Sequence, residues 1–336
     1  MKAKKTQYLI FSFILTIIIT FCFFSCSPAS STEKFIEEPT QETIDENFII
    51  ESGEETGEDM QVYVGLRRSS YSGAGKLGEG ADEWWVNRAK EYAASLTSSV
   101  EELDNVQPVI IQIVSGYNRD GTTTVGFEKP HSYTGSTENI TFFSNPMIDH
   151  ERSLTTYDEN GVKAIIQFET GNSDVLTNLE LAHQAFGHHE CIIGYGLDAE
   201  WYFTKESIDF TGKPIKDEDA RKWMEKVLSF DSTYTLFIKH WEPPHTPRNY
   251  RHPNLWFLSD SQEFPDLDSL IDNFRFWADS HEGQTVGYQY GYPSDREWWG
   301  QMSKPTNGIA QRILSDIPET RYLFWVDFTA DDVEFY

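Results

Sequence analysis

The sequence predicts an α/β protein folded as one irregular (β/α)8 barrel with some outer helices missing, and three observations lead there. Eight apolar runs of strand length recur between residues 61 and 336, most of them separated by helical patterns. Polar residues recur at the C-terminal ends of those runs, which is where a parallel barrel carries its functional side chains. No G-x-G-x-x-G phosphate loop follows the first run, as it would in a doubly wound open sheet, the alternative with the same element order.

The first strand is Gln61 to Leu66, ending at Arg67-Arg68-Ser69; a glycine-rich loop over 72–80 and Asp82-Glu83 then open a helix from Trp84 to Leu96, acids being favoured in a first turn. Val109 to Val114 is the second strand, followed by a polar excursion over 115–144. Asn145-Pro146 reads as the start of a helix that Asn160-Gly161 closes. Lys163 to Phe168 is the third strand and ends at Glu169; Ser173 or Asp174 caps a helix to Phe186, with Gly187 as its stop. The fourth strand, from Cys191, runs into Asp198-Ala199-Glu200-Trp201-Tyr202. A helix over Asp217–Phe230 and a fifth strand, Tyr234 to Lys239, lead to His240-Trp241-Glu242; the prolines between Pro243 and Pro253 then forbid an ordinary helix. Leu255 to Leu258 is the sixth strand, with Asp260 and Gln262 beyond it. After a helix over 266–280, Thr285 to Tyr290 is the seventh strand, helical pieces lie near 295–301 and 309–315, and Tyr322 to Val326 is the eighth, ending at Asp327. The count is that of a TIM-type barrel spanning 61–336.

A formal net charge of −27 argues against nucleic acid as partner, because a phosphate backbone is held by Lys and Arg. Much of that charge is local: Glu33 to Asp59 holds eleven acids against Lys34 alone, the composition of a disordered tether over 26–60. Ahead of it, Lys2, Lys4 and Lys5 precede an apolar run from Tyr8 to Phe24 and then Ser25-Cys26, the layout of an export signal over 1–25. Phe23-Phe24-Ser25-Cys26 resembles a bacterial lipobox. That resemblance implies cleavage before Cys26, lipid on Cys26, and an exported chain anchored to a bacterial membrane and facing the periplasm or the exterior; a plain membrane anchor is the alternative. Cys22 leaves with the signal, so Cys191 has no disulfide partner and no CxxC metal spacing exists.

Residues 198 and 200 sit two apart on an extended chain, so their side chains share a face about 6.6 Å apart. Around the barrel mouth the strand ends offer Arg67, Glu169, Asp198, Glu200, His240, Asp260, Gln262, Tyr290 and Asp327, with Trp201, Tyr202, Trp241, Trp298 and Trp299 as aromatic surfaces. Acids ringed by flat aromatic faces suit glycoside hydrolysis, in which one carboxylic acid protonates the leaving oxygen and a second carboxylate stabilises the oxocarbenium-like centre. Glu200, Asp198, Asp327 and Glu169 are the catalytic candidates and the others are candidate substrate contacts. His188-His189-Glu190 falls on the opposite, N-terminal face, where helix-end carbonyls are the expected partners; neither a metal nor a cofactor is expected. No nucleophile elbow, Walker loop or H-E-x-x-H motif is present.

Asp198-Ala199-Glu200 at the end of a fourth strand resembles the acidic signature of the family 25 muramidases and, more distantly, of the family 18 chitinases. The resemblance implies Glu200 as general acid and Asp198 as the group that orients or charges a substrate acetamido group acting as internal nucleophile. The muramidases carry an acid where this chain has Arg67, and the chitinases a further acid where it has Gly194 or Gly196. The segments YVGLRRSSY, GLDAEWY, KHWEPP and FWVDFT also resemble an uncharacterised group of bacterial barrel proteins. The expectation is a monomeric barrel that hydrolyses an extracytoplasmic glycan. The alternative is a barrel of the same build that binds a carbohydrate or partner without turnover. Arg67 discriminates between them: pairing with Glu200 would keep that acid ionised and unable to donate a proton.

Overall fold

The computed structural model describes residues 61–100, 103, 105–144, 148–204 and 211–335. The expected export signal, Cys26, the acidic tether and the Asn145-Pro146 helix start lie outside the described residues. Eight parallel strands close into a barrel: β1 (Val62–Arg68), β2 (Val106–Ile113), β6 (Lys163–Phe168), β7 (Ile192–Asp198), β8 (Thr235–Lys239), β9 (Leu255–Ser259), β10 (Val286–Tyr290) and β11 (Thr320–Trp325). Closure is made by β1, which pairs with β2 on one side and with β11 on the other.

Outside the strands lie α1 (Ala81–Ser99), α2 (His150–Asn160), α3 (Val175–Phe186), α4 (Asp217–Phe230), α5 (Leu267–Ser280), the short α6 (Arg296–Trp299) and α7 (Pro305–Asp316). Aspartates start three of them, since an ordered carboxylate satisfies one of the orphan N–H groups of a first turn. Asp149 accepts from Arg152 N, Asp174 from Thr177 N and Asp266 from Ser269 N. Between β8 and β9 only a 3-10 turn at Pro243–His245 forms, as the prolines dictate, and β11 is followed by a turn at Asp327–Thr329. The excursion after β2 holds a small sheet: β3 (Ser115–Tyr117) pairs antiparallel with β4 (Thr123–Val125), which pairs parallel with β5 (Ile140–Phe142). Strands of three residues are too short to show a readable alternation, so this sheet has no signature in the sequence.

Two apolar layers result from the alternation of the strands. One packs their outer faces under the helices. The other fills the barrel with Val109, Ile111, Ile165, Phe237, Trp256, Leu258, Tyr322 and Phe324, and Trp256 stacks on Tyr322 with ring centroids 3.8 Å apart. Emptying one such position, as in Phe237→Ala, costs about 3–5 kcal/mol. The same period of two carries inward-facing Phe237 to Lys239, Leu258 to Asp260, and Ile165 through Gln167 to Glu169, so the apolar plug ends in a charged layer at the mouth.

Candidate active site

Lys239 stands at the centre of that layer. It is paired in register with Asp198 across β7 and β8, and its Nζ lies 2.7 Å from Asp198 Oδ2, 2.5 Å from Asp260 Oδ2 and 3.8 Å from Glu200 Oε1. Asp198 also accepts from the Glu200 backbone N–H at 3.3 Å, which fixes the tight turn after β7 and holds Glu200 over the mouth. Glu169 faces this group from β6: one carboxylate oxygen accepts from the Tyr71 hydroxyl and the other from Tyr117 N at 2.8 Å. Beside them Arg67 is bound to Asp327 Oδ1 through Nε at 3.0 Å and Nη2 at 2.5 Å, while Ser69 donates to Asp327 Oδ2.

Three carboxylates compete for one ammonium. Two like charges about 4 Å apart repel by about 4 kcal/mol at the effective dielectric of such sites, which pushes their protonation toward higher pH against the attraction of the ammonium. Burial, reinforced by the charge of Asp260, holds Glu200 well above the ordinary carboxylate range; Lys239 opposes this. Burial also raises Asp198 to about 7, against the pull of Lys239 and with a push from Glu169 and Asp260. Asp260 moves the other way: burial would raise it, but Lys239 holds it below its usual value. Glu169 is raised by burial, with the Tyr71 hydroxyl and the Tyr117 N–H resisting. Lys239 is buried, yet its three carboxylates keep it charged. The result is one carboxyl pushed up beside one held down, the separation of acid from base that acid/base chemistry needs.

The layer opens into a cleft of about 1040 Å³. Arg67, Glu169, Asp198, Glu200, Trp201, Trp241, Asp260 and Gln262, all expected at the mouth, line it together with Tyr71, Tyr117, Lys239, Tyr292 and Phe328. Trp201 stacks on Tyr117 with centroids 4.9 Å apart, and Trp241 is 40% exposed at the rim. Arg67 lies 4.7 Å from the Phe328 ring centroid and 5.9 Å from that of Tyr292.

Six expected site residues lie elsewhere. Asp327 is wholly buried beneath Arg67 and does not reach the cleft, so it positions that arginine rather than meeting a ligand. Tyr202 turns away to pack edge-on against Trp223. His240 is fully buried: its Nε2 donates to the Thr211 carbonyl at 2.8 Å, its Nδ1 accepts from Glu242 N at 2.7 Å, and burial lowers it to about 4, which makes it a neutral loop anchor. Tyr290 faces outward and shares a hydrogen bond with Tyr92 of α1. Trp299 is core, donating to the Tyr292 carbonyl at 2.9 Å and packing on Trp325, and Trp298 is half-buried outside the cleft. His188 and His189 do not cap helix-end carbonyls either; their side chains reach Glu151 and Asp158 of α2.

Lys239, open in the sequence only as a salt-bridge partner for Glu200 across the barrel mouth, is the central residue of the observed site. A lysine closing the apolar run YTLFIK, on the same strand face as a core phenylalanine, carries that signal. Tyr71 comes from a loop and Tyr117 from the three-residue β3, and neither carries one. The two departures from the acidic signatures also have physical causes. A Cβ at Gly196 would lie 2.0 Å from the Phe237 ring, so no acid fits there, and Arg67 is committed to Asp327.

The molecule is thus a (β/α)8 barrel with a carboxylate cluster gathered around one buried lysine at the mouth of an aromatic-walled cleft. No family model and no curated protein matches the chain. Among solved structures it is similar to a glycosyl hydrolase family 2 member from Bacteroides cellulosilyticus, at 11% identity and TM-score 0.41 over 80% of this chain and 27% of that one. It is also similar to a β-D-glucuronidase of Dictyoglomus thermophilum, at 12% identity and TM-score 0.41 over 74% of this chain and 40% of that one. A β-1,4-D-mannanase from Cryptopygus antarcticus shares 10% identity and TM-score 0.42 over 79% of this chain and 84% of its own. The chain therefore spans well under half of the first two proteins. Likenesses of this order carry no argument about activity, which has to come from the site.

Proposed function

We propose that the chain is a glycoside hydrolase. The observation that carries this reading is the placement of Glu200 and Asp260 on either side of Lys239 in an open, aromatic-walled cleft, where burial holds Glu200 well above the ordinary carboxylate range and Lys239 holds Asp260 below it. Glu200 donates its proton to the glycosidic oxygen as the bond to the anomeric carbon breaks. Asp260, which Lys239 holds below its usual range, and Glu169 stabilise the oxocarbenium-like centre; a water entering from the open cleft then adds its oxygen to the anomeric carbon and returns a proton to the Glu200 carboxylate. Trp241 at the rim and the Trp201–Tyr117 stack offer flat apolar faces to sugar rings. Arg67, tied to Asp327 at one edge, presents fixed N–H donors to substrate hydroxyls.

The muramidase and chitinase resemblance narrows the substrate to a glycan with 2-acetamido groups, which Asp198 would orient for internal attack. The export signal and Cys26 support an extracytoplasmic glycan met by a monomer at a membrane surface. That Arg67 pairs with Asp327 and not with Glu200 favours turnover over binding alone, since the arginine does not hold Glu200 ionised, and burial keeps Glu200 well above the ordinary range against the pull of Lys239. The test is reducing-end release from peptidoglycan, chitin and plant or host glycans, with and without acetamido groups. Release that disappears in Glu200→Gln is the expected result. Saturable binding without release from any glycan would show the non-catalytic barrel instead.

A further inference from the structure

Away from the mouth, the segment between α3 and β7 lays two histidines against α2. We propose that Glu151, His188 and His189 form a binding site for a borderline divalent transition cation of the Zn²⁺ class, with Asp158 as the supporting carboxylate. Their ligand atoms all lie within 4.8 Å of one another. His188 Nε2 is 3.0 Å from Glu151 Oε1, and His189 Nε2 is 3.3 Å from Glu151 Oε2.

His189 carries the assignment. Its side chain is 4% exposed, and its Nδ1 donates to Asp158 Oδ2 at 2.6 Å. That bond places a proton on Nδ1 and, in the neutral ring, leaves the Nε2 lone pair for a metal, with a carboxylate behind the ring fixing its orientation. Asp158 is itself fixed, because its Oδ1 accepts from Cys191 N at 2.6 Å. His189 Nε2 is buried yet has no hydrogen-bond partner: it faces Glu151 Oε2 without hydrogen-bond geometry. A buried Nε2 directed at a carboxylate oxygen is satisfied only when a proton or a metal cation lies between them, and the 3.3 Å separation without hydrogen-bond geometry suits the metal.

The other features agree with such an occupant. Two neutral imidazoles and two carboxylates carry a charge of −2, which one divalent cation balances. Arg152, next to Glu151, is drawn away by Asp82 at 2.6 Å and does not compete. The side chains of Glu151 and His188 are 54% and 59% exposed, so the cation has an entry path and keeps a position open for water. Imidazole and carboxylate together suit Zn²⁺ better than the all-oxygen shells that Ca²⁺ and Mg²⁺ take. The site would join α2 to the chain entering β7, outside the proposed chemistry at the mouth.

The test uses the untagged protein, stripped with a chelator and titrated with Co²⁺, then with Zn²⁺ in competition. One equivalent of Co²⁺ should bind with the visible ligand-field absorption of a four- or five-coordinate ion, and one equivalent of Zn²⁺ should abolish that absorption. Glu151→Gln and His188→Ala alter exposed side chains; each should weaken binding about tenfold or more while the Tm of the stripped protein stays unchanged. Asp158→Asn should weaken it by about 10–100-fold. No saturable binding by the unaltered protein, or equal affinity in both exposed variants, overturns the proposal.

Discussion

Arg67 and Arg68 are neighbours on β1 that point to opposite faces, and the buried ionic clusters they join differ in charge balance. Arg68 points outward. Its Nη2 meets Asp82 Oδ1 at 2.7 Å and its Nη1 the Tyr157 hydroxyl at 2.8 Å, while Arg152 meets Asp82 Oδ2 at 2.6 Å and Ser153 donates to Asp82 Oδ1 at 2.7 Å. Burial alone would raise Asp82, but the bond from Arg152 and the charge of Arg68 hold it below its usual value. Two cations share one anion, so that anion stays charged and the cluster pins α1 and α2 to the barrel. Arg67 points inward to a mouth where the ratio is reversed, with three carboxylates around Lys239 and Glu169 facing them. A buried cluster with excess cation holds its carboxylate ionised, whereas one with excess carboxylate stores a proton. Proton storage is what separates the candidate site from the structural cluster.

The largest way to break that comparison is Glu200→Gln. It preserves shape and removes the stored proton, so glycan hydrolysis should fall by about 10²–10⁴-fold, read as kcat/KM, with the Tm nearly unchanged. Next in size are the two keystone changes. Lys239→Met leaves buried carboxylates unpaired, and Asp82→Asn leaves arginines unpaired; each should cost about 3–5 kcal/mol in denaturant unfolding at pH 7. They should separate on acidification. The loss in Lys239→Met should shrink from near neutrality downward, because Asp198 takes up its proton at about 7. The loss in Asp82→Asn should persist until the pH enters the ordinary carboxylate range: a lowered carboxylate contributes stability above its unfolded value, and that stability disappears as pH falls through the folded one.

A smaller effect follows from Asp198 itself. Its folded value of about 7 exceeds the ordinary 3.8, so its contribution is favourable in acid and is lost as pH rises from about 4 to about 7. The slope is at most about 1.4 kcal/mol per pH unit, and Asp198→Asn should remove it from urea-unfolding curves taken across that range. The smallest effect is expected at the rim. Trp241→Ala should raise KM a few-fold, about 0.5–1.5 kcal/mol of stacking, and leave kcat in place.

The barrel was legible because each strand is an apolar run closed by a polar residue, and the expected bounds differ from the observed ones by only a few residues. KAIIQF is strand β6 over the residues expected, and the prolines from Pro243 to Pro253 correctly exclude an outer helix. Helix α2 begins at His150 behind its cap Asp149, whereas the expected start at Asn145-Pro146 lies outside the described residues. The mouth was readable where strand parity continues past the strand end, as at Asp198, Glu169 and Asp260. Parity failed where the chain turns first. Asp327 enters a 3-10 turn and drops beneath Arg67, Tyr290 keeps the outward phase of β10, and the Trp298–Trp299 pair folds back toward the core. Tyr71 reaches Glu169 from a loop and Tyr117 from β3, a convergence of distant segments that no local pattern contains.

The most direct measurement is the titration of Glu200 itself. The side-chain carboxyl carbon signal that disappears in Glu200→Gln can be followed by NMR across pH in protein labelled with ¹³C at glutamate. The expected result is a Glu200 carboxyl that is still protonated at neutral pH and ionises only above it. A carboxyl already ionised at pH 6, titrating like an exposed glutamate, would contradict the proton-storing mouth and with it the proposed general acid.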